Sequence, residues 1–349
     1  MSKNLYCLLL MCGLLFACNR KQSVYADSTL IGYEDFGSAK ELYAQSVDLD
    51  SCISTPIQLQ VYDTVLAVIN NRAERQVDLF SLKSLQKIGE RISVGQGPND
   101  MLVPRFVGYC NESFLLSDLM SSSVSVFRLD DFIAHSTPSC MEKILFDKRI
   151  FGEVRLLGDR YVAPARNPYC LLYEFNAKGG LIDSIGRYPD IGMEMENEEK
   201  YNMFGFSFVT NQQDRVAICY NWTDLVEIYD GAGKLCNRIH GPKHFISNFR
   251  KITNGNVVSS SPIKGETRDA FFCPVDMGDE FGVLFSGKSE SEEGYSILAN
   301  QILVYGWDGA LKQVLNLDQG IFAFAVDKSN RMIYGISDSP EFHIISYVY

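Results

Sequence analysis

A chain of 349 residues, 46% of them hydrophobic, is long enough to bury a sizeable core. Its formal net charge of −11 argues against nucleic acid as a partner, because such binding depends on neutralising phosphates with Lys and Arg. No apolar stretch approaches the roughly 20 residues that a membrane-spanning helix needs, so membrane contact is expected only through the N-terminus.

The first element is a secretion signal. Lys3 supplies the positive charge, and residues 5–16 form an apolar run of signal-core length. The run ends in Leu15-Phe16-Ala17-Cys18, with an aliphatic residue at −3 and a small one at −1. This resembles the lipobox of bacterial lipoproteins, with Phe16 at a position more often occupied by a small residue. The resemblance implies cleavage before Cys18, diacylation of its sulfur and a lipid anchor. Each buried methylene adds about 0.8 kcal/mol, so two or three acyl chains hold a protein durably. Asn19 stands where an Asp would favour the inner membrane, so the resemblance points to the outer membrane of the cell envelope. Residues 1–17 are thus read as the signal, 18–39 as a flexible polar tether and 40–349 as the folded unit.

The folded unit repeats. An alternating strand closing on an aromatic residue recurs at Phe80, Phe127, Phe175, Tyr229, Tyr305 and Tyr347. The intervals of 47, 48, 54, 76 and 42 residues suit four short strands per unit, the period of a β-propeller blade. The expected fold is all-β, a six-bladed propeller of four-stranded antiparallel blades. In the last unit, residues 321–326, 331–337 and 343–349 read as strands A, B and C, and then the chain stops. An unpaired edge is a liability. Residues 42–49 are the natural replacement for strand D, closing the last blade with an N-terminal strand.

Gly/Pro punctuation follows several D strands, as in Gly95-Gln96-Gly97-Pro98, Gly186-Arg187-Tyr188-Pro189 and Gly241-Pro242. Gly supplies positive φ and Pro a fixed one, which suits the reversal from an outer strand to the next inner strand. The first of these, extended to Asn99 and Asp100, lacks the third Gly and the following helix of a dinucleotide fingerprint. It resembles a G-x-G-P-x-acid motif of bacterial six-bladed propeller lipoproteins related to the TolB and NHL-type propellers. Residues 191–204 interrupt the period with helix formers and read as a short helix over one face. Residues 246–268 and 286–300 form a second insertion, whose acidic stretch reads as solvated surface.

Seven cysteines lie beyond the anchor: Cys52, Cys110, Cys140, Cys170, Cys219, Cys236 and Cys273. An odd number without a C-x-x-C reads as buried free thiols rather than a redox or zinc site.

In a propeller the D–A and B–C connections share one mouth, where ligands usually bind. The D–A connections offer Asn99, Asp100, Arg105, Arg149, Arg187, Tyr188 and His244. The B–C connections offer Arg72, Arg166, Asn167, Asn221, Trp222 and Asp338. Five arginines in an acidic protein suggest a fork for carboxylate or phosphate oxygens, and Tyr188 and Trp222 a platform for a ring. No catalytic or metal residue is assigned, because the chain has no G-x-S-x-G elbow, H-E-x-x-H helix or EF-hand loop. The Gly241-Pro242 step between His240 and His244 excludes the helix that would aim both at one metal. The leading expectation is a non-catalytic envelope lipoprotein binding a protein, a glycan or a peptide, without cofactor. The alternatives are a propeller hydrolase or lactonase with a divalent cation such as Ca2+ in the channel, and an accessory subunit of an outer-membrane uptake complex.

Overall fold

The computed structural model describes residues 23–47, 54–71, 73–110, 112–167, 169–255 and 257–349. Cys18, Cys52 and Arg72 lie outside these residues.

Strand-forming runs of alternating or wholly apolar residues, cut by short polar turns, build six four-stranded antiparallel sheets. Blade 1 comprises Pro56–Tyr62, Val65–Asn70, Arg75–Ser81 and Lys87–Ser93, as strands A to D. Blade 2 follows with Pro104–Cys110, Ser113–Asp118, Ser123–Arg128 and Cys140–Leu145, with a short helix, α1 (Leu129–Ala134), between C and D. Blade 3 is Arg155–Leu157, Arg160–Asn167, Cys170–Phe175 and Leu181–Ile185. Helix α2 (Asn197–Met203) then leads into blade 4, made of Phe206–Thr210, Arg215–Tyr220, Leu225–Asp230 and Leu235–His240. A separate hairpin, Phe249–Asn254 with Val257–Pro262, precedes blade 5. Blade 5 is Arg268–Asp276, Glu280–Ser289, Ala299–Gly306 and Leu311–Ile321. The 76-residue interval is thus this hairpin plus long strands.

Blade 6 takes Ala323–Asp327, Met332–Ser337 and His343–Val348 from the C-terminus. Its strand D is Gln45–Val47, antiparallel to strand C with Val47 opposite Ile344. The expected closure holds, on the middle of the stretch read for it.

The blade core explains the repeat. Successive strand residues point to opposite faces, and each face meets a different neighbouring blade. In strand B of blade 1, Val65, Ala67 and Ile69 pack towards blade 2 while Leu66 and Val68 pack towards blade 6. Hence the continuous apolar run. Six such clusters fill the six interfaces between blades, which completes the ring. The six closing aromatics, Phe80, Phe127, Phe175, Tyr229, Tyr305 and Tyr347, are all buried in these interfaces.

Residues 23–39 depart from the tether expected there and continue into residues 40–42. They form a belt along the outer rim of the ring. Thr29–Leu30 adds a parallel fifth strand to blade 4, and Ser38–Leu42 adds one to blade 5. The physical cause is a spaced set of apolar side chains that enter successive grooves between blades. Tyr25 joins the cluster between blades 3 and 4, Ile31 and Phe36 that between 4 and 5, Leu42 that between 5 and 6, and Val47 that between 6 and 1. Gly241 makes room for the belt, because a Cβ there would stand 2.2 Å from the Ile31 carbonyl oxygen.

Polar groups fasten the belt to blade 4. Ser23 Oγ pairs with His240 Nδ1 at 2.8 Å, and the Tyr25 hydroxyl pairs with Thr223 Oγ1 at 2.8 Å. Asp224, fully buried, accepts from the backbone N–H groups of Lys243, His244 and Phe245. Arg238 donates to Glu227 Oε1 at 2.7 Å and to the Ala26 carbonyl at 2.7 Å.

No disulfide joins the described cysteines, all of which are free thiols. Cys170 and Cys219 are buried, Cys110, Cys140 and Cys273 partly so, and Cys236 is exposed. Burial pushes the Cys273 thiol up to about 11.

Buried phenols make the fold sensitive to alkali. Burial holds Tyr62, Tyr220, Tyr229 and Tyr305 far above the ordinary phenol value and pushes Tyr161 up to about 12. In the unfolded chain these groups ionise near pH 10, so the stability they lend is complete below that pH. Above it the unfolded state binds fewer protons, and each fully buried phenol lowers stability by up to about 1.4 kcal/mol per pH unit. The buried phenols' share of the phenolate absorbance is therefore expected to appear together with the change in circular dichroism, in one cooperative step above about pH 10. Tyrosine ionisation complete well before the loss of structure would contradict this.

Candidate ligand site

The D–A and B–C connections gather on one face of the ring. There, over blades 3 and 4, a cup of about 530 Å³ opens. The loop from blade 2 to blade 3 gives Phe151, Gly152 and Glu153, and strand B of blade 3 gives Pro164 and Ala165. Tyr188 comes from the loop between blades 3 and 4, and Tyr201 and Asn202 from α2. Strand A of blade 4 contributes Phe206, Ser207 and Phe208, with Phe204 just before it. Trp222, in the B–C connection of blade 4, meets Phe249 of the hairpin edge-on at 5.8 Å. Eight aromatic side chains thus line one small space.

The insertions that interrupt the period form its roof. Glu199 accepts from the Glu196 backbone N–H at 2.9 Å, a capping box that starts α2. The same carboxylate receives Lys251 of the hairpin at 3.0 Å. Burial alone would raise the Glu199 carboxyl; the Glu196 N–H and Lys251 outweigh it and hold the carboxyl below its ordinary value. Ser260 Oγ donates to the Glu199 carbonyl at 3.0 Å, and Asn202 Nδ2 to Ser259 Oγ at 2.8 Å. Helix and hairpin are therefore one polar-bonded unit.

Two hydroxyls of the lining, Tyr188 OH and Ser207 Oγ, are buried with no hydrogen-bond partner among the described residues. A buried polar group left unpaired costs about 1–3 kcal/mol, so both are polar groups beside the cup that the fold leaves unsatisfied. Burial first, and then the nearby Tyr201, Cys170 and Glu198, hold the Tyr188 phenol well above its ordinary value. It stays neutral and able to donate.

At the edge of the cup two guanidiniums share one ring. Arg149 and Arg166 each lie 5.8 Å from the Phe151 centroid, and Arg166 also lies 5.2 Å from that of Tyr201. Glu198 stands 3.8 Å from Arg166, with both side chains half exposed. Glu153, the carboxylate in the lining, is already engaged. It accepts from Gln58 Nε2 at 3.1 Å and pairs with Arg155.

Of the residues expected at the mouth, Tyr188 and Trp222 line the cup, and Arg149 and Arg166 border it. Arg187 is exposed next to Tyr188. Arg105 sits on the inner strand of blade 2, donating to the Pro104 carbonyl at 2.8 Å, and burial pulls its guanidinium below the ordinary value. The others serve the fold. Asn99 Oδ1 accepts from the Cys140 N–H at 3.3 Å, and Asp100 accepts from the Gly97 N–H at 3.1 Å. A Cβ at Gly95 or Gly97 would fall 2.5 or 2.6 Å from the Asp100 carboxylate, so a larger residue at either would displace that side chain. His244 donates through Nε2 to the Ile31 carbonyl at 2.6 Å and holds the belt. Asn167 bonds Tyr173 and the Tyr169 N–H, Asn221 pairs through its backbone with Gly205 and Ala270, and Asp338 lies across the ring in blade 6.

Sequence reasoning missed Phe151, Tyr201, Phe204, Phe206, Phe208 and Phe249. One signal was available: Phe204-Gly205-Phe206-Ser207-Phe208 places three aromatics on alternate positions directly after a helical insertion. Among the described residues no cluster of three or more His, Cys, Asp or Glu side chains is arranged to hold a metal ion.

A family model described as TolB-like 6-blade propeller-like matches residues 35–329. The crystal structure of a DUF4221-family member from Bacteroides vulgatus is similar with a TM-score of 0.60 and 9% identity, over 88% of this chain and 96% of that one. A protein from Bacteroides fragilis described as exported is similar with a TM-score of 0.52 and 11% identity, over 92% of this chain and 99% of that one. At these identities the likeness is one of fold. The chain matches no curated protein.

Proposed function

The chain belongs to the TolB-like six-bladed propeller family, and on that premise we propose that it is an exported, lipid-anchored binding protein whose cup takes an acidic saccharide. The observation that carries this reading is the pairing of an eight-aromatic cup with stacked arginines at its edge. Aromatic faces and unpaired hydroxyls suit the C–H faces and hydroxyls of a sugar ring. Cation–π contact with Phe151 and Tyr201 holds the Arg166 guanidinium at the edge of the cup, where its fork can meet a carboxylate. The Glu198 contact opposes this little, because an exposed ion pair is worth only about 0–1 kcal/mol.

Binding without turnover fits the lining. Glycoside hydrolysis usually needs two carboxyl groups flanking the bond, and the lining carboxylate, Glu153, is committed to Gln58 and Arg155. The leader, the lipobox at Cys18 and a structural neighbour described as exported support the envelope as its address.

Calorimetric titration with a uronic-acid oligosaccharide and its neutral counterpart tests the reading. The acidic sugar is expected to bind more tightly. Arg166→Ala should weaken it about 10- to 100-fold, the worth of a charge-assisted hydrogen bond, and leave the neutral sugar nearly unchanged. No heat from any acidic saccharide, or equal losses for both sugars, would refute it.

A further inference from the structure

We propose that the cup-bearing face of the propeller rests on the lipid surface that holds Cys18, with the hairpin Phe249–Asn254/Val257–Pro262 at the contact. The inference builds on the anchored, exported reading above and adds an orientation to it.

The first observation is where the chain enters the ring. Ser23 bonds His240, which ends strand D of blade 4, and Tyr25 bonds Thr223, in the B–C connection next to Trp222. Both partners belong to the loop-rich face. Cys18 precedes Ser23 by five residues, and an extended chain covers at most about 3.6 Å per residue, so the Cys18 backbone lies within about 18 Å of that face. A blade strand of six residues already spans about 20 Å. Resting the ring on its opposite face would require the link to run fully extended along the whole height of a blade and its turns, whereas the loop-rich face is met at once.

The second observation is what stands on the same face. In the hairpin, Ile252 and Val257 are 38% and 61% exposed, and Ile246 beside it is 45% exposed. Arg250 is exposed between them, and Arg149 and Arg187 are exposed around the cup. Exposed aliphatic side chains flanked by cations match the boundary of an anionic bilayer, where apolar groups enter and basic ones meet headgroups. The cup then opens towards the membrane, and its saccharide is one displayed on the lipid surface.

The test uses the full acylated chain in vesicles of phosphatidylglycerol and phosphatidylethanolamine that carry a shallow spin-labelled lipid quencher. Val257→Trp reports on the hairpin tip. Asp159→Trp reports on the opposite face, in the A–B turn of blade 3 where the Asp159 side chain is 96% exposed. Each is read against the parent chain, and the mass of the Cys18 peptide is taken from the same preparation. Acylated Cys18 with added quenching several-fold stronger at position 257 than at 159 is the expected result. Acylated Cys18 with equal quenching, with none, or with the stronger signal at 159 overturns the orientation and leaves the anchor standing. An unmodified Cys18 peptide refutes the anchor itself, and the orientation with it.

Discussion

A chain that begins at residue 54 is expected to yield no folded monomer, whereas one that begins at residue 23 should be as stable as the longer chain. The first truncation removes Gln45–Val47, so blade 6 keeps three strands and an open edge. It also removes Tyr25, Ile31, Phe36 and Leu42, each 2–7% exposed and each in a groove between blades. Deleting one large buried side chain costs about 2–5 kcal/mol. Several such losses approach the whole stability of a typical domain, about 5–15 kcal/mol. An intermediate truncation, beginning at residue 43, separates the two effects: it keeps the closing strand and loses the belt. It should fold with markedly reduced stability, seen as a lower urea midpoint. Unchanged stability in that chain would show the belt to be a passive attachment.

Replacing Glu227 by Ala should destabilise the propeller by about 3–5 kcal/mol, the range for breaking a buried ion pair by removing one partner. The carboxylate is fully buried in blade 4 and accepts from Tyr220 OH at 2.8 Å, Tyr229 OH at 2.7 Å and Arg238 Nε at 2.7 Å. Burial alone would depress the Arg238 guanidinium; the Glu227 charge and hydrogen bond outweigh it and hold it above its ordinary value. Without Glu227 a cation and two phenols lose their common acceptor. Adding Arg238→Met to Glu227→Ala should recover part of the loss, because no unpaired charge then stays buried. Equilibrium denaturation of the two single variants and the double variant measures the coupling. Additive losses would show that the pair acts independently.

The sequence was legible where a feature repeats from blade to blade. Closing aromatics such as Phe80 and Tyr347 could be read because each strand C repeats the same interface between blades. The closing strand could be read because the last unit offered three strands and residues 42–49 a spare one, and Gln45–Val47 pairs with His343–Val348. The belt could not. Its strands are only two and five residues long, and its buried side chains, Tyr25, Ile31, Phe36 and Leu42, follow the spacing of the blades rather than a period of 2 or 3.6. The Gly95-Gln96-Gly97 turn was correctly seen as a reversal, although its glycines answer to the Asp100 carboxylate rather than to a positive φ.

The cup was legible by location and not by membership. The rule that D–A and B–C connections meet at one mouth found Tyr188, Trp222, Arg149 and Arg166, and equally gathered Asn99, Asp100 and His244, whose hydrogen bonds tie loops and belt together. Position along a repeat says which face a residue reaches. Whether it stays free there depends on partners distant in sequence, as when His244 meets Ile31.

Tryptophan emission tests the central claim most directly, since the chain has two tryptophans. Trp222 lines the cup, while Trp307 is 6% exposed in blade 5 and donates to the Gly278 carbonyl at 3.0 Å. Titration with an acidic oligosaccharide should change the emission saturably, at the concentrations at which calorimetry reports binding. Trp222→Phe should abolish that change, and Trp307→Phe should keep it. Saturable binding with unaltered Trp222 emission would place the ligand elsewhere and contradict the account.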